Sequence, residues 1–94
     1  IKLSSDSNTL KSNIANNNIG TGFDLSTSNS ILSSNIANNN QNNGFVIAQF
    51  SKNNVLANNR AKNNNQGGIR QIYFPLEILI YYFITLGTVI VGVV

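Results

Sequence analysis

Apolar residues stand two apart along much of this chain, and each such pair is followed by a run of Asn and Ser. Phe23 with Leu25 and Phe45 with Ile47 are the clearest pairs. Two-residue spacing places both side chains on one face of a strand. No stretch within the Asn-rich part holds the i, i+3, i+4, i+7 spacing of an amphipathic helix. Asn, Ser and Gly also disfavour helix interiors. The pattern is itself periodic. Asn13-Ile14-Ala15-Asn16-Asn17-Asn18 recurs unchanged as Asn35-Ile36-Ala37-Asn38-Asn39-Asn40, an offset of 22. A looser copy, Asn59-Arg60-Ala61-Lys62-Asn63-Asn64, follows at an offset of 24. A period in this range is the mark of a stacked-repeat architecture.

The copies run over residues 1–21, 22–43 and 44–67, with a fourth beginning at 68. Four apolar columns emerge as the expected inward core: Ile1, Phe23, Phe45 and Ile69; Leu3, Leu25 and Ile47; Leu10, Leu32 and Leu56; Ala15, Ala37 and Ala61. The column Ile14, Ile36, Arg60 accepts an Arg and is expected to face water. Two Asn columns lie between, Asn13/Asn35/Asn59 and Asn18/Asn40/Asn64. Each copy reads as two or three short strands joined by bends. Stacked copies would pair in parallel at about 4.8 Å. Asn tolerates the left-handed backbone region needed at a bend, and bends are expected at Asn35 and Asn40. Its side-chain amide holds both a donor and an acceptor, so stacked amides can bond to the copies above and below as a ladder. The expectation is an all-β parallel β-helix of about three coils over residues 1–72.

From Arg70 the register is expected to break, with Gln71 where Leu25 and Ile47 stood, and residues 73–94 are strongly apolar. Counted from Phe74, the segment has 21 residues. As a helix it would span about 31 Å, close to the hydrocarbon thickness of a bilayer. Pro75 suits a first helical turn and Glu77 complements its dipole. A membrane-spanning helix is the expectation. A strand pair or cap is the other reading, since Ile, Val, Tyr and Phe also favour strands. Arg60, Lys62 and Arg70 precede the span, which on charge alone would hold the repeats in the cytoplasm.

Composition narrows the function classes. The net charge is only +3 and the six basic residues are scattered without interleaved aromatics, so no nucleic-acid partner is expected. Cys, His, Met and Trp are absent. There is accordingly no thiol or imidazole for nucleophilic catalysis or a soft metal, and no cofactor is expected. Asp6, Asp24 and Glu77 are the only carboxylates. Asp6 and Asp24 read as solvated acids rather than a catalytic pair, and no catalytic or metal-binding residue is assigned. Gly20-Thr21-Gly22 lacks the Lys and following helix of a phosphate loop. Phe50 is the large apolar residue off the columns. With Gln49 and nearby hydroxyls it could bind a glycan, or it could cap a loop. The chain begins at Ile1 with nothing resembling a signal peptide, so upstream coils of a longer chain are expected.

The segments Asn8-Thr9-Leu10-Lys11-Ser12-Asn13 and Asn54-Val55-Leu56-Ala57-Asn58-Asn59, with the Ala, Asn and Gly-Phe positions that follow, resemble the right-handed parallel β-helix repeat. Over residues 1 to about 69 they are most similar to the Asn-rich repeats of NosD-like proteins, related to carbohydrate-binding proteins and sugar hydrolases. The resemblance implies a three-strand coil with the columns above turned inward, and an exported location. It implies copper maturation only by the family's name, and no His, Cys or Met is present to carry that over. The expected function is a non-enzymatic cell-surface or envelope module, structural or glycan-binding, anchored to the membrane with its repeats extracytoplasmic. The alternative is the C-terminal fragment of a polysaccharide lyase, hydrolase or epimerase whose active site lies upstream.

Overall fold

A computed structural model describes residues 1–72 and 89–91. Among the described residues, eight short strands alternate between two parallel sheets. β1 (Lys2–Leu3), β3 (Phe23–Leu25), β5 (Asn43–Ile47) and β7 (Gly67–Gln71) form the first, in that order. β2 (Thr9–Lys11), β4 (Ile31–Ser33), β6 (Val55–Ala57) and β8 (Val89–Val91) form the second. The third side of each coil is too short for strands and is held by the single bridges Ile14↔Ile36 and Ile36↔Arg60. Register follows the sequence columns: Phe23 pairs with Phe45 and Phe45 with Ile69, while Leu32 pairs with Leu10 and Leu56.

Alternation along each strand buries one face. Leu3, Ala15, Phe23, Leu25, Leu32, Ala37, Phe45, Ile47 and Leu56 form a single core. Phe23 and Phe45 stack with centroids 4.7 Å apart and planes 7° from parallel, a spacing close to that between paired strands. Four expected core positions are less buried than their columns imply. Ile1 is 46% exposed, and Leu10, Ala61 and Ile69 are partly buried against the core. Ile1 and Leu10 belong to the first coil, which has a neighbouring coil on one side only.

The corners are sharper than the sequence indicated. Three columns of residues have positive φ: Ser7, Asn29 and Asn53; Ser12, Ser34 and Asn58; Asn17, Asn39 and Asn63. The bends expected at Asn35 and Asn40 therefore lie one residue earlier, at Ser34 and Asn39. The left-handed residue turns the chain, and the residue after it is left pointing inward. Coils also approach closely at Gly22 and Gly44. A Cβ on Gly44 would lie 2.6 Å from the Ala61 Cβ and 2.7 Å from the Gly68 carbonyl oxygen.

The connection from the first sheet to the second grows along the stack. It comprises residues 4–8, 26–30 and 48–54, which are 5, 5 and 7 residues. The change of period from 22 to 24 is the two extra residues of the third connection. Pairing also continues where a break was expected: Val46 pairs with Arg70, Ile47 with Gln71, and the Ile72 amide donates to the Ile47 carbonyl at 2.9 Å. Backbone register survives the change of side chains because the ladder uses main-chain groups.

The C-terminal expectation is corrected at Val89–Val91. These residues lie inside the anticipated helix, yet they form a strand in register with Val55–Ala57 of β6. The rest of that expected span, 73–88 and 92–94, lies outside the described residues. No helix among the described residues is long and apolar enough to cross a membrane.

Candidate functional site

Buried amides at the corners hold the coils in place. The Asn13 amide N–H and its Nδ2 both donate to Asn35 Oδ1, at 2.9 and 3.1 Å. Asn35 repeats the arrangement onto Asn59 Oδ1, at 2.9 and 3.0 Å. The second proton on each Nδ2 goes backwards: Asn35 Nδ2 donates to the Leu10 carbonyl and Asn59 Nδ2 to the Leu32 carbonyl. The Asn18/Asn40/Asn64 column does the same, with distances of 2.8–3.0 Å. Asn35, Asn40 and Asn59 are buried, Asn13 and Asn64 half-buried, and Asn18, in the first coil, exposed. These six asparagines are structural; every buried polar atom in the two ladders has a partner, which removes the cost of burying it.

A third inner ladder escaped the sequence reading. The Asn8 amide donates to Ser30 Oγ at 2.9 Å, the Ser30 amide to Asn54 Oδ1 at 3.0 Å, and Asn54 Nδ2 to the Thr27 carbonyl at 2.6 Å. Its column mixes Asn with Ser, so no repeated word marks it. The signal available was position: each member immediately precedes a strand of the second sheet.

Two outer ladders run with the opposite polarity. The Ser28 amide donates to Asp6 Oδ1 at 2.8 Å and the Lys52 amide to Ser28 Oγ at 3.1 Å. Likewise the Asn38 amide donates to Asn16 Oδ1 and the Lys62 amide to Asn38 Oδ1, at 2.8 and 2.9 Å. Asp6 is thus the acceptor at the start of a ladder. Asp24 lies in the middle of β3, paired with Lys2 and Val46. Among the described residues no group of three acids, His or Cys is placed to hold a metal ion.

The surface concavity that could receive a ligand sits over this corner. It has a volume of about 290 Å³ and is lined by Asp6, Ser26, Thr27, Ser28, Gln49, Phe50 and Ser51. The Gln49-Phe50 insertion builds one wall, in a turn closed by the Ser51 amide bonding to the Ala48 carbonyl at 3.2 Å. Phe50 stands 57% exposed at φ 68°. Thr27 and Ser51 are buried beneath it. Thr27 Oγ1 donates to the Ser5 carbonyl at 2.6 Å and lies 2.7 Å from Ser30 Oγ, and Ser51 Oγ donates to the Leu25 carbonyl at 3.3 Å. The floor is rigid for that reason, while the rim offers hydroxyl, amide and carboxylate groups beside one aromatic face. Such a set suits a polar ligand with an apolar patch; it lacks the nucleophile–base pair of covalent catalysis.

No curated protein and no solved structure matches the chain. The family described as right handed beta helix region matches residues 1–74. That match covers the three coils and the fourth's first strand, and the chain belongs to the right-handed β-helix family.

Proposed function

We propose that the chain is a non-enzymatic glycan-binding module in which the solenoid is the scaffold and the groove at Phe50 is the site. The observation that carries this is Phe50 itself. A bulky residue at positive φ is strained by roughly 1–3 kcal/mol, and such strain is concentrated at sites of function. Here it comes from a two-residue insertion that leaves every strand in register and holds an aromatic ring beside Gln49, Ser28 and Asp6. A sugar ring presents hydroxyls at its edge and C–H groups on its faces, which is the complement of that set. Binding is favoured over hydrolysis because the groove holds a single carboxylate, Asp6, already accepting from the Ser28 amide, whereas glycoside hydrolysis uses two. Titration of the protein with neutral oligosaccharides, followed by amide chemical shifts, tests it. Shifts confined to residues around Ser28 and Phe50, and lost in Phe50→Ala, are expected. Shifts spread evenly over the solenoid, or unchanged in the variant, would sink the reading.

A NosD-like, exported envelope setting belongs to the same proposal. So does membrane attachment. β7 and β8 belong to one stack, so the two strands would lie on the same side of that membrane. Protease protection on vesicles checks this: the C-terminus on the far side from the repeats would refute it.

A further inference from the structure

The chain has 19 asparagines, and one of them, Asn43, precedes a glycine. We propose that Asn43–Gly44 is a self-modification site, where loss of ammonia converts Asn43 to aspartate or isoaspartate and loosens the start of β5 against β7. The two residues are there for different reasons. Gly44 is demanded by packing, because a Cβ would strike Ala61, Gly68 and Asn64 at 2.6–2.9 Å. Asn43 is demanded by nothing comparable. Its counterparts by position are Thr21 and Gly67. It is 3% exposed, and its Oδ1 is buried without a hydrogen-bond partner among the described residues. Its Nδ2 is held by one long bond, 3.4 Å, to Gln66 Oε1. A buried, unpartnered amide oxygen is costly. The buried ladder asparagines Asn35, Asn40 and Asn59, by contrast, are each pinned by three or more side-chain bonds of 2.8–3.1 Å.

The chemistry needs only water. The Gly44 backbone nitrogen attacks the Asn43 Cγ, a C–N bond forms, and ammonia leaves with the amide nitrogen. Water then opens the resulting five-membered imide at either carbonyl. Opening at one returns a normal peptide bond with an aspartate side chain; opening at the other routes the main chain through the former side chain. There is no net oxidation. Glycine offers the least hindered attacking nitrogen because it has no Cβ. Either product puts a carboxylate where the amide of Asn43 was, and the second also lengthens the backbone at the start of β5. β5 is an interior strand, with β3 and β7 on either side. Its Asn43↔Gly67 and Phe45↔Ile69 pairs both depend on that spacing.

The test is incubation of the full chain in mildly alkaline buffer, followed by peptide mapping for the amide-to-acid mass change and for isoaspartate. Conversion at Asn43 is expected roughly tenfold faster than at any other asparagine, as the unhindered Gly nitrogen requires, and the converted fraction should unfold at lower urea. Comparable rates at the other asparagines, or an intact Asn43 beside converted ones, overturn the site. Conversion with an unchanged urea midpoint overturns the loosening. Asn43→Thr, which restores the residue of the first coil, should abolish the modification and keep the fold. Asn43→Gln, whose longer side chain closes a larger ring slowly, serves the same purpose should Thr fail to fold.

Discussion

Replacing Asn35 isolates what a ladder amide contributes. Asn35 is fully buried and makes four side-chain hydrogen bonds, accepting from the Asn13 amide and Nδ2 and donating to Asn59 Oδ1 and the Leu10 carbonyl. In Asn35→Leu the Asn13 amide and Nδ2 lose Asn35 Oδ1 and the Leu10 carbonyl loses one donor, while Asn59 Oδ1 keeps the Asn35 backbone donor. Each orphaned group costs about 1–3 kcal/mol. Burying a Leu side chain offsets about 1.5–3 kcal/mol of that. At the middle of these ranges the net loss is about 2 kcal/mol, a large share of the 5–14 kcal/mol expected for a chain this long. Asn38 makes a poorer comparison for the protein to lose. Its Oδ1 accepts from the exposed Lys62 amide, which water can serve instead, so Asn38→Leu should cost under about 1 kcal/mol. Asn39 separates amide chemistry from backbone conformation, because it sits at φ 57°. Asn39→Gly should cost nearly nothing, whereas Asn35→Gly should cost more than Asn35→Leu. Urea unfolding of the four variants, extrapolated linearly to water, gives the comparison. Equal losses at Asn35 and Asn38, or an Asn39→Gly as damaging as Asn35→Gly, would refute the ladder as a source of stability.

Other substitutions probe other layers of the structure. Gly44→Ala should destabilise by about 2 kcal/mol or more through overpacking, while Gly20→Ala, with nothing within 4 Å of the added Cβ, should stay within about 0.5 kcal/mol; thermal melts of both decide it. Phe50→Gly should raise stability by about 1 kcal/mol by relieving strain and abolish oligosaccharide binding, so the two readouts move in opposite directions. Arg60→Ile restores the residue type of Ile14 and Ile36 at an exposed position and should change stability by less than about 0.5 kcal/mol.

The columns were readable because a parallel stack places equivalent residues directly above one another. Phe23 over Phe45, Leu32 over Leu56 and Asn35 over Asn59 need no knowledge of the path between them. What depends on the path was harder to read. Positive φ falls at Ser34 and Asn39 rather than on the conspicuous Asn35 and Asn40, since the amide that must point inward cannot also be the residue that turns the corner. Thr27, Ser30 and Ser51 were missed as inward residues because they are polar, and only the hydrogen bonds they make inside the corner account for their burial. Ile1 kept its column and lost its burial, because a column fixes direction and not the presence of a neighbour. Val89–Val91 was absorbed into a long apolar run whose composition serves strand and helix alike. The groove was visible only as Phe50 standing off its columns; the residues from two other coils that complete it meet only once the coils are stacked.

The direction of the inter-coil bonds sets how this chain would answer to force. Main-chain bonds such as Asp24 to Ile1 and Ile36 to Asn13, together with all five side-chain ladders, point along the stack rather than across it. Tension applied between the ends therefore loads them like a zipper and peels one coil at a time. Each detached 22-residue coil would extend the chain by about 70–80 Å. A solenoid pulled this way yields in small equal steps at low force, absorbing work gradually where a sheared domain would hold and then rupture.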